Sequence, residues 1–263
     1  MSKYFNVDVI PDCIAGDVSD NNGGDVGGGD VIFNWTAVDV PKGSCLLKNI
    51  TAYVNAEDGA YGAGSLTDYE IVFAKSINGV VPSNLGDINA VQTGCGELRS
   101  HFVGAVRLES EASKGTLTKT TFGVVYNSAA SPQGGYIGPG FIIDLEPSSG
   151  TNVGYDTLYV AAFQVSTRAY GTGVLLDLAG DADLDASTTP VSEIAVDGVD
   201  ATKIFSIGDQ VYVHDLDTPI PGVLTKVEPL LLTFSETNST VDISNNDELL
   251  NANPIRIRLG FES

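Results

Sequence analysis

The apolar residues of this chain fall into strand-length runs rich in Val, Ile, Thr, Tyr and Phe, each closed by Gly, Asn, Asp, Ser or Pro. No helix of crossover length separates one run from the next. A parallel sheet needs such a crossover between its strands. The chain is therefore expected to be all-β and antiparallel. A first strand at Tyr4–Ile10 is followed by Val31–Val38, Cys45–Asn55, Tyr69–Lys75, His101–Arg107, Thr120–Asn127, Phe141–Glu146 and Leu158–Thr167. That spacing, with turn residues between, points to a sandwich or jelly roll. In Cys45–Asn55, simple alternation puts Leu47, Asn49, Thr51 and Tyr53 on one face and Leu46, Lys48, Ile50, Ala52 and Val54 on the other. A hydrophobic content of 43% over 263 residues is enough to fill such a core.

The texture changes near residue 177. Asp177–Asn253 holds 15 acidic residues and two lysines, a net of −13, whereas the rest of the chain nets −8. Lys203–Ser206 leads into Gly208-Asp-Gln-Val-Tyr-Val-His214, then come Pro221–Val227 and Leu230–Ser235. The turn at Ser244–Leu249 predicts a one-turn helix. These short elements suggest a small acidic barrel of SH3-like type over 177–253, beside a β-sandwich over 1–176. The closing run is the clearest strand: Ile255, Ile257, Leu259 and Phe261 alternate with Arg256, Arg258 and Gly260. Two places fit it. It ends the small barrel, or it returns (as 254–263) to the sandwich and makes the barrel an insertion; its length favours the second.

The net charge of −21 opposes nucleic acid and anionic membrane, because phosphate binding depends on Lys and Arg. No run of about 18 apolar residues spans a membrane, and no targeting segment is read at Met1–Asp8. Cys13, Cys45 and Cys95 are odd in number and widely spaced, which fits buried free thiols in a reducing cytoplasm rather than a disulfide framework or zinc knuckle.

Candidates for chemistry are few. His101 and His214 are 113 positions apart, with no Gly-X-Ser-X-Gly elbow and no cysteine in a nucleophile context. A hydrolase on this fold would have to gather its centre around one of them. The expectation is no enzyme, no catalytic residue and no cofactor. Trp35 reads as core, which argues against a sugar cleft. The metal candidate is Asp181-Ala-Asp-Leu-Asp185, whose alternating Asp181, Asp183 and Asp185 can present oxygens to Ca²⁺. The EF-hand pattern fails there, since Ser192 stands where Glu is needed, and the run reads first as an acidic linker. Ser19–Asp30, rich in Gly and Asp, lacks the Lys and helix of a phosphate loop. It reads as an arm that orders on a neighbour. The long connections Gly79–Glu97 and Asn127–Gly140 read as interface-forming.

Several stretches carry a resemblance. Val40-Pro-Lys-Gly-Ser-Cys-Leu-Leu-Lys-Asn-Ile50, Tyr69-Glu-Ile-Val-Phe-Ala-Lys-Ser-Ile-Asn-Gly79, Leu85-Gly-Asp-Ile-Asn-Ala90, Phe205-Ser-Ile-Gly-Asp-Gln-Val211 and Ile255-Arg-Ile-Arg-Leu-Gly-Phe261 resemble virion structural proteins of tailed bacteriophages, marine ones in particular. The resemblance implies a particle component located in the virion and assembled in the host cytoplasm. Within that class it implies a capsid decoration or head-auxiliary protein, present in many copies or as a homo-oligomer, with the major capsid protein or other virion proteins as partners. The alternative is a tail, baseplate or fibre component binding a host-surface receptor or glycan. That alternative predicts an exposed aromatic cluster, with Tyr136, Tyr155, Tyr159 and Tyr170 as candidates.

Overall fold

The computed structural model describes residues 3–13, 27–41, 44–55, 69–93, 100–108, 122–126, 141–143, 155–165, 173–176, 190–197, 200–213, 218–245 and 247–263. Among them are β1 Tyr4–Val9, β2 Val31–Pro41, β3 Cys45–Asn55, β4 Tyr69–Lys75, β5 Phe102–Leu108, β6 Phe122–Tyr126, β7 Phe141–Ile143 and β8 Tyr155–Gln164. The later strands are β9 Gly173–Leu176, β10 Val191–Asp197, β11 Val211–Val213, β12 Thr218–Pro219, β13 Leu224–Glu228, β14 Leu231–Asn238, β15 Glu248–Asn251 and β16 Ile255–Glu262. All the pairings among the described residues are antiparallel.

Two sheets make a sandwich. One has the order β1-β16-β3-β6, with β7 also on β3, and the other β2-β8-β4-β5. Ile50, Leu47, Ile257, Leu259 and Phe261 from the first meet Val38, Ile71, Phe73, Leu158 and Val160 from the second in one buried cluster. The closing strand thus lies in the sandwich, antiparallel between β1 and β3. Its apolar face is buried, and Phe261 stacks on Phe5 with centroids 5.1 Å apart.

Strand β3 departs from simple alternation. Cys45 and Leu47 point inward, but so do Ile50 and Ala52. The register explains it: Gly260 faces Asn49 while the next residue, Phe261, faces Leu47. Lys48 is therefore the extra residue of a β-bulge, which shifts the phase by one and keeps both halves of β3 on the core. A Cβ at residue 260 would come within 3.3 Å of the Asn49 Cβ, so glycine suits this crowded position.

The third sheet has the order β12-β11-β15-β9-β10-β14-β13. Its core gathers Ile194, Val196, Phe205, Val211, Leu232, Phe234 and Leu249. Among the described residues no pairing joins β12 to β13, so the seven strands close no barrel. The sheet begins at Gly173, ahead of the charge shift at 177, because β9 is an uncharged Gly-Val-Leu-Leu. The helix expected at Ser244–Leu249 is not seen among the described residues there. The Asp247 carboxylate instead accepts from the Ser244 N–H at 2.7 Å, closing a turn, and the chain extends at once into β15. A 3-10 turn forms at Ala201–Lys203, where Asp200 accepts from the Thr202 N–H at 3.0 Å.

Candidate functional site

An open groove of about 640 Å³ lies on the outer face of the β2-β8-β4-β5 sheet. Register builds its floor. Phe163, Glu70 and Arg107 form one row across β8, β4 and β5, and Ala161, Val72 and Ala105 form the next. Strand alternation sends these side chains away from the core that Ile71 and Phe73 fill. Trp35, Phe102 and Phe163 supply aromatic surface, and Gln92 and Gln164 supply amides. Phe102 is 49% exposed.

One wall is the connection 76–93, which is tied down rather than loose. The Asn34 side chain donates to the Gly86 carbonyl at 2.7 Å and the Asn84 side chain at 2.8 Å, and accepts from the Leu85 N–H at 3.0 Å. The Trp35 Nε1–H donates to the Ser83 carbonyl at 2.8 Å. The Val31 N–H donates to Ala90 O, and the Asn89 N–H returns to Val31 O. Leu85 is thereby buried among Val31, Val72 and Ala161, with Trp35 and Phe163 against them. Asn78 and Asn89 take left-handed φ of 51° and 56°, which asparagine tolerates, and Gly86 takes 124°. A preformed groove with aromatic walls and a few polar groups is what a small-ligand site requires. Glu70, Arg107 and the amides can both donate to and accept from a ligand.

The sequence did not point to this groove. Trp35 is not in the main core. It sits half-buried in a satellite cluster with its ring bordering the opening. Tyr159 is half-buried on β8, and burial raises its phenol above the usual range. Tyr155 starts β8, but its side chain lies outside the described residues, as do Tyr136 and Tyr170. Its strand alternation was the available signal, since outward-facing Val72, Phe163 and Trp35 are too apolar for a bare solvent face.

His101 precedes β5, and its Nδ1 lies 2.8 Å from the Lys75 carbonyl, a contact that fixes the ring to the chain next to it. His214, Cys95, Asp181, Asp183 and Asp185 lie outside the described residues. Among those residues no group of three His, Cys, Asp or Glu could hold a metal, and no helix is long and apolar enough to cross a membrane. Cys13 and Cys45 are buried and in no disulfide, and burial pushes the Cys13 thiol far above its usual range. Of the Gly-rich segment, Gly27–Asp30 is ordered: the Gly29 N–H donates to Gln164 O at 2.7 Å and borders the groove. Residues 19–26 lie outside the described set.

A second, smaller cleft of about 270 Å³ marks the junction of the sandwich with the third sheet. The basic face of β16 is neutralised there. Arg258 makes a bidentate pair with Asp8, directly opposite on β1, at 2.7 and 2.9 Å. Arg256 pairs with Asp209 and donates to Ile207 O at 3.0 Å. Asn253 donates to Pro11 O and accepts from the Gln210 N–H, and Tyr212 donates to Asp12. These bonds lock the two units together.

The Arg258 guanidinium holds the Asp8 carboxyl below the usual carboxylate range. The stability from this pair is therefore full above the ordinary value near ~4 and lost as pH falls through the lowered one. Both side chains are about half exposed, so the effect is small, roughly 0.2–1 kcal/mol. Urea midpoints of the native chain and Asp8→Asn should differ at pH 6 and converge below pH 3. A gap that persists in acid would contradict this assignment.

No protein-family model matches the chain, and no curated protein matches it.

Proposed function

We propose that this chain is a non-enzymatic virion structural protein, a decoration protein that binds the outer surface of a phage head through the major capsid protein and stabilises the shell. The observation that carries this reading is the pinned connection on β2. It presents Val80, Val81 and Val91 at 61%, 56% and 66% exposure. A loop held by the Asn34 and Trp35 hydrogen bonds loses little entropy on docking, so apolar side chains fixed on it suit an interface. Many copies on a lattice would make modest contacts sufficient through avidity.

Purified protein should co-sediment with heads lacking it, saturably and at many copies per particle. The double variant Val80→Asp/Val81→Asp should fold normally, because both residues are exposed, and should lose at least tenfold in head affinity by placing carboxylates in a desolvated contact. Unchanged binding by this variant would remove the connection from the interface, and no binding by the native chain would remove the head assignment.

A second reading, a tail, baseplate or fibre component facing a host-surface receptor, is favoured by the groove on β4, β5 and β8. Its concave, aromatic-lined form suits a small ligand better than a flat lattice contact.

A further inference from the structure

We propose that the groove over Val72 is a binding site for a neutral oligosaccharide, with Phe102 and Trp35 as stacking surfaces and Glu70 and Arg107 as hydroxyl partners. The inference deepens the receptor-facing reading and does not depend on docking to heads.

The lining has two kinds of surface, and a pyranose has the same two. Its C–H faces are apolar and pack on aromatic rings, while its rim of hydroxyls both donates and accepts. Phe102 is half exposed at the groove and Phe163 lies in its floor row. The Trp35 Nε1–H is already given to Ser83 O, so the indole offers ring surface rather than its polar edge. Glu70 accepts from a hydroxyl and Arg107, its cross-strand neighbour, donates to one. The pair contributes no net charge to the groove. A purely apolar guest would take the exposed Glu70 carboxylate out of water and offer it no donor in return, which is costly. An acidic polysaccharide would meet a chain of net charge −21. A neutral sugar satisfies the polar groups and meets no repulsion. A volume of about 640 Å³ has room for a few sugar rings.

The chain carries one tryptophan, and it borders the groove, so its emission reports occupancy directly. The full chain should be titrated with tetrasaccharides of glucose, mannose and N-acetylglucosamine in α and β linkages, with a uronic-acid tetrasaccharide and a fatty acid as contrasting probes. At least one neutral tetrasaccharide should change Trp35 emission saturably. Phe102→Ala should weaken that binding roughly tenfold, the loss of one aromatic contact. Glu70→Gln should weaken it less and leave folding unchanged. Head co-sedimentation should be unaffected by either variant. If none of the neutral sugars is bound, or if binding survives Phe102→Ala unchanged, the proposal is overturned. Binding of the fatty acid alone would reassign the groove to an apolar ligand, and preference for the uronic-acid probe would reverse the charge argument.

Discussion

Replacing Arg256 with Met is expected to lower folding stability by about 3 kcal/mol at neutral pH, within the range for breaking a buried ion pair on one side. Asp209 is 1% exposed, and among the described residues only the Ser206 N–H and the Asn251 amide reach its carboxylate besides Arg256, at 2.7 and 2.9 Å. The guanidinium is itself 30% exposed, which places the loss at the lower end. Burial is the largest influence on the Asp209 carboxyl and raises it above the usual range, against the opposing pull of Arg256. Without Arg256 the burial penalty stands less opposed, and the folded-state value rises further. The sign follows: a group raised in the folded state is best accommodated when protonated. The penalty is small below the unfolded value near ~4 and grows as pH rises through the folded one. Urea unfolding of Arg256→Met should therefore show its largest deficit at pH 7 and a smaller one near pH 5. Adding Asp209→Asn should recover part of the loss, because the neutral amide leaves no unpaired charge. An equal deficit at both pH values would mean that Arg256 acts through packing of its stem.

Strand content was legible where a β-rich run is closed by turn residues on both sides. Cys45–Asn55 and Tyr69–Lys75 have the bounds that alternation and turn residues predict. The faces of β3 were legible only to Leu47, because the bulge at Lys48 is set by Gly260, more than two hundred positions away. Val191–Asp197 was not read as a strand. Only Ile194 and Val196 in it are buried, and its charged and small residues mask a central position between β9 and β14. Gly208-Asp209 read as a turn, and it is one, but its carboxylate is buried by an arginine on the closing strand. The groove was the least legible feature. Its residues lie on β2, β4, β5 and β8, and only register makes Phe163, Glu70 and Arg107 neighbours. Trp35 was placed in the core because a lone tryptophan within a strand is usually packed. It is packed, but on the other face of its sheet.

Phe261→Ala should destabilise the sandwich by about 3–5 kcal/mol, the usual cost of emptying a buried aromatic site. The side chain is 1% exposed and stacked on Phe5, and it lies beside Leu47 at the bulge. Collapse into the space is hindered from two directions. Phe5 sits on an edge strand held to β16 by backbone pairing, and the bulge fixes the position of Leu47. Phe261→Leu keeps most of the volume and should cost less than half as much. The location of the loss tests the architecture more sharply than its size. The sandwich core and the core of the third sheet are separate clusters, joined at the junction by polar contacts. Hydrogen exchange should therefore accelerate most at the amides of β3 and β16 and much less at those of β10 and β14. Equal acceleration across all four strands would show that the junction couples the two cores into one cooperative unit. The buried Asp209–Arg256 pair would then be the contact that transmits the loss, and Arg256→Met should weaken both cores as well.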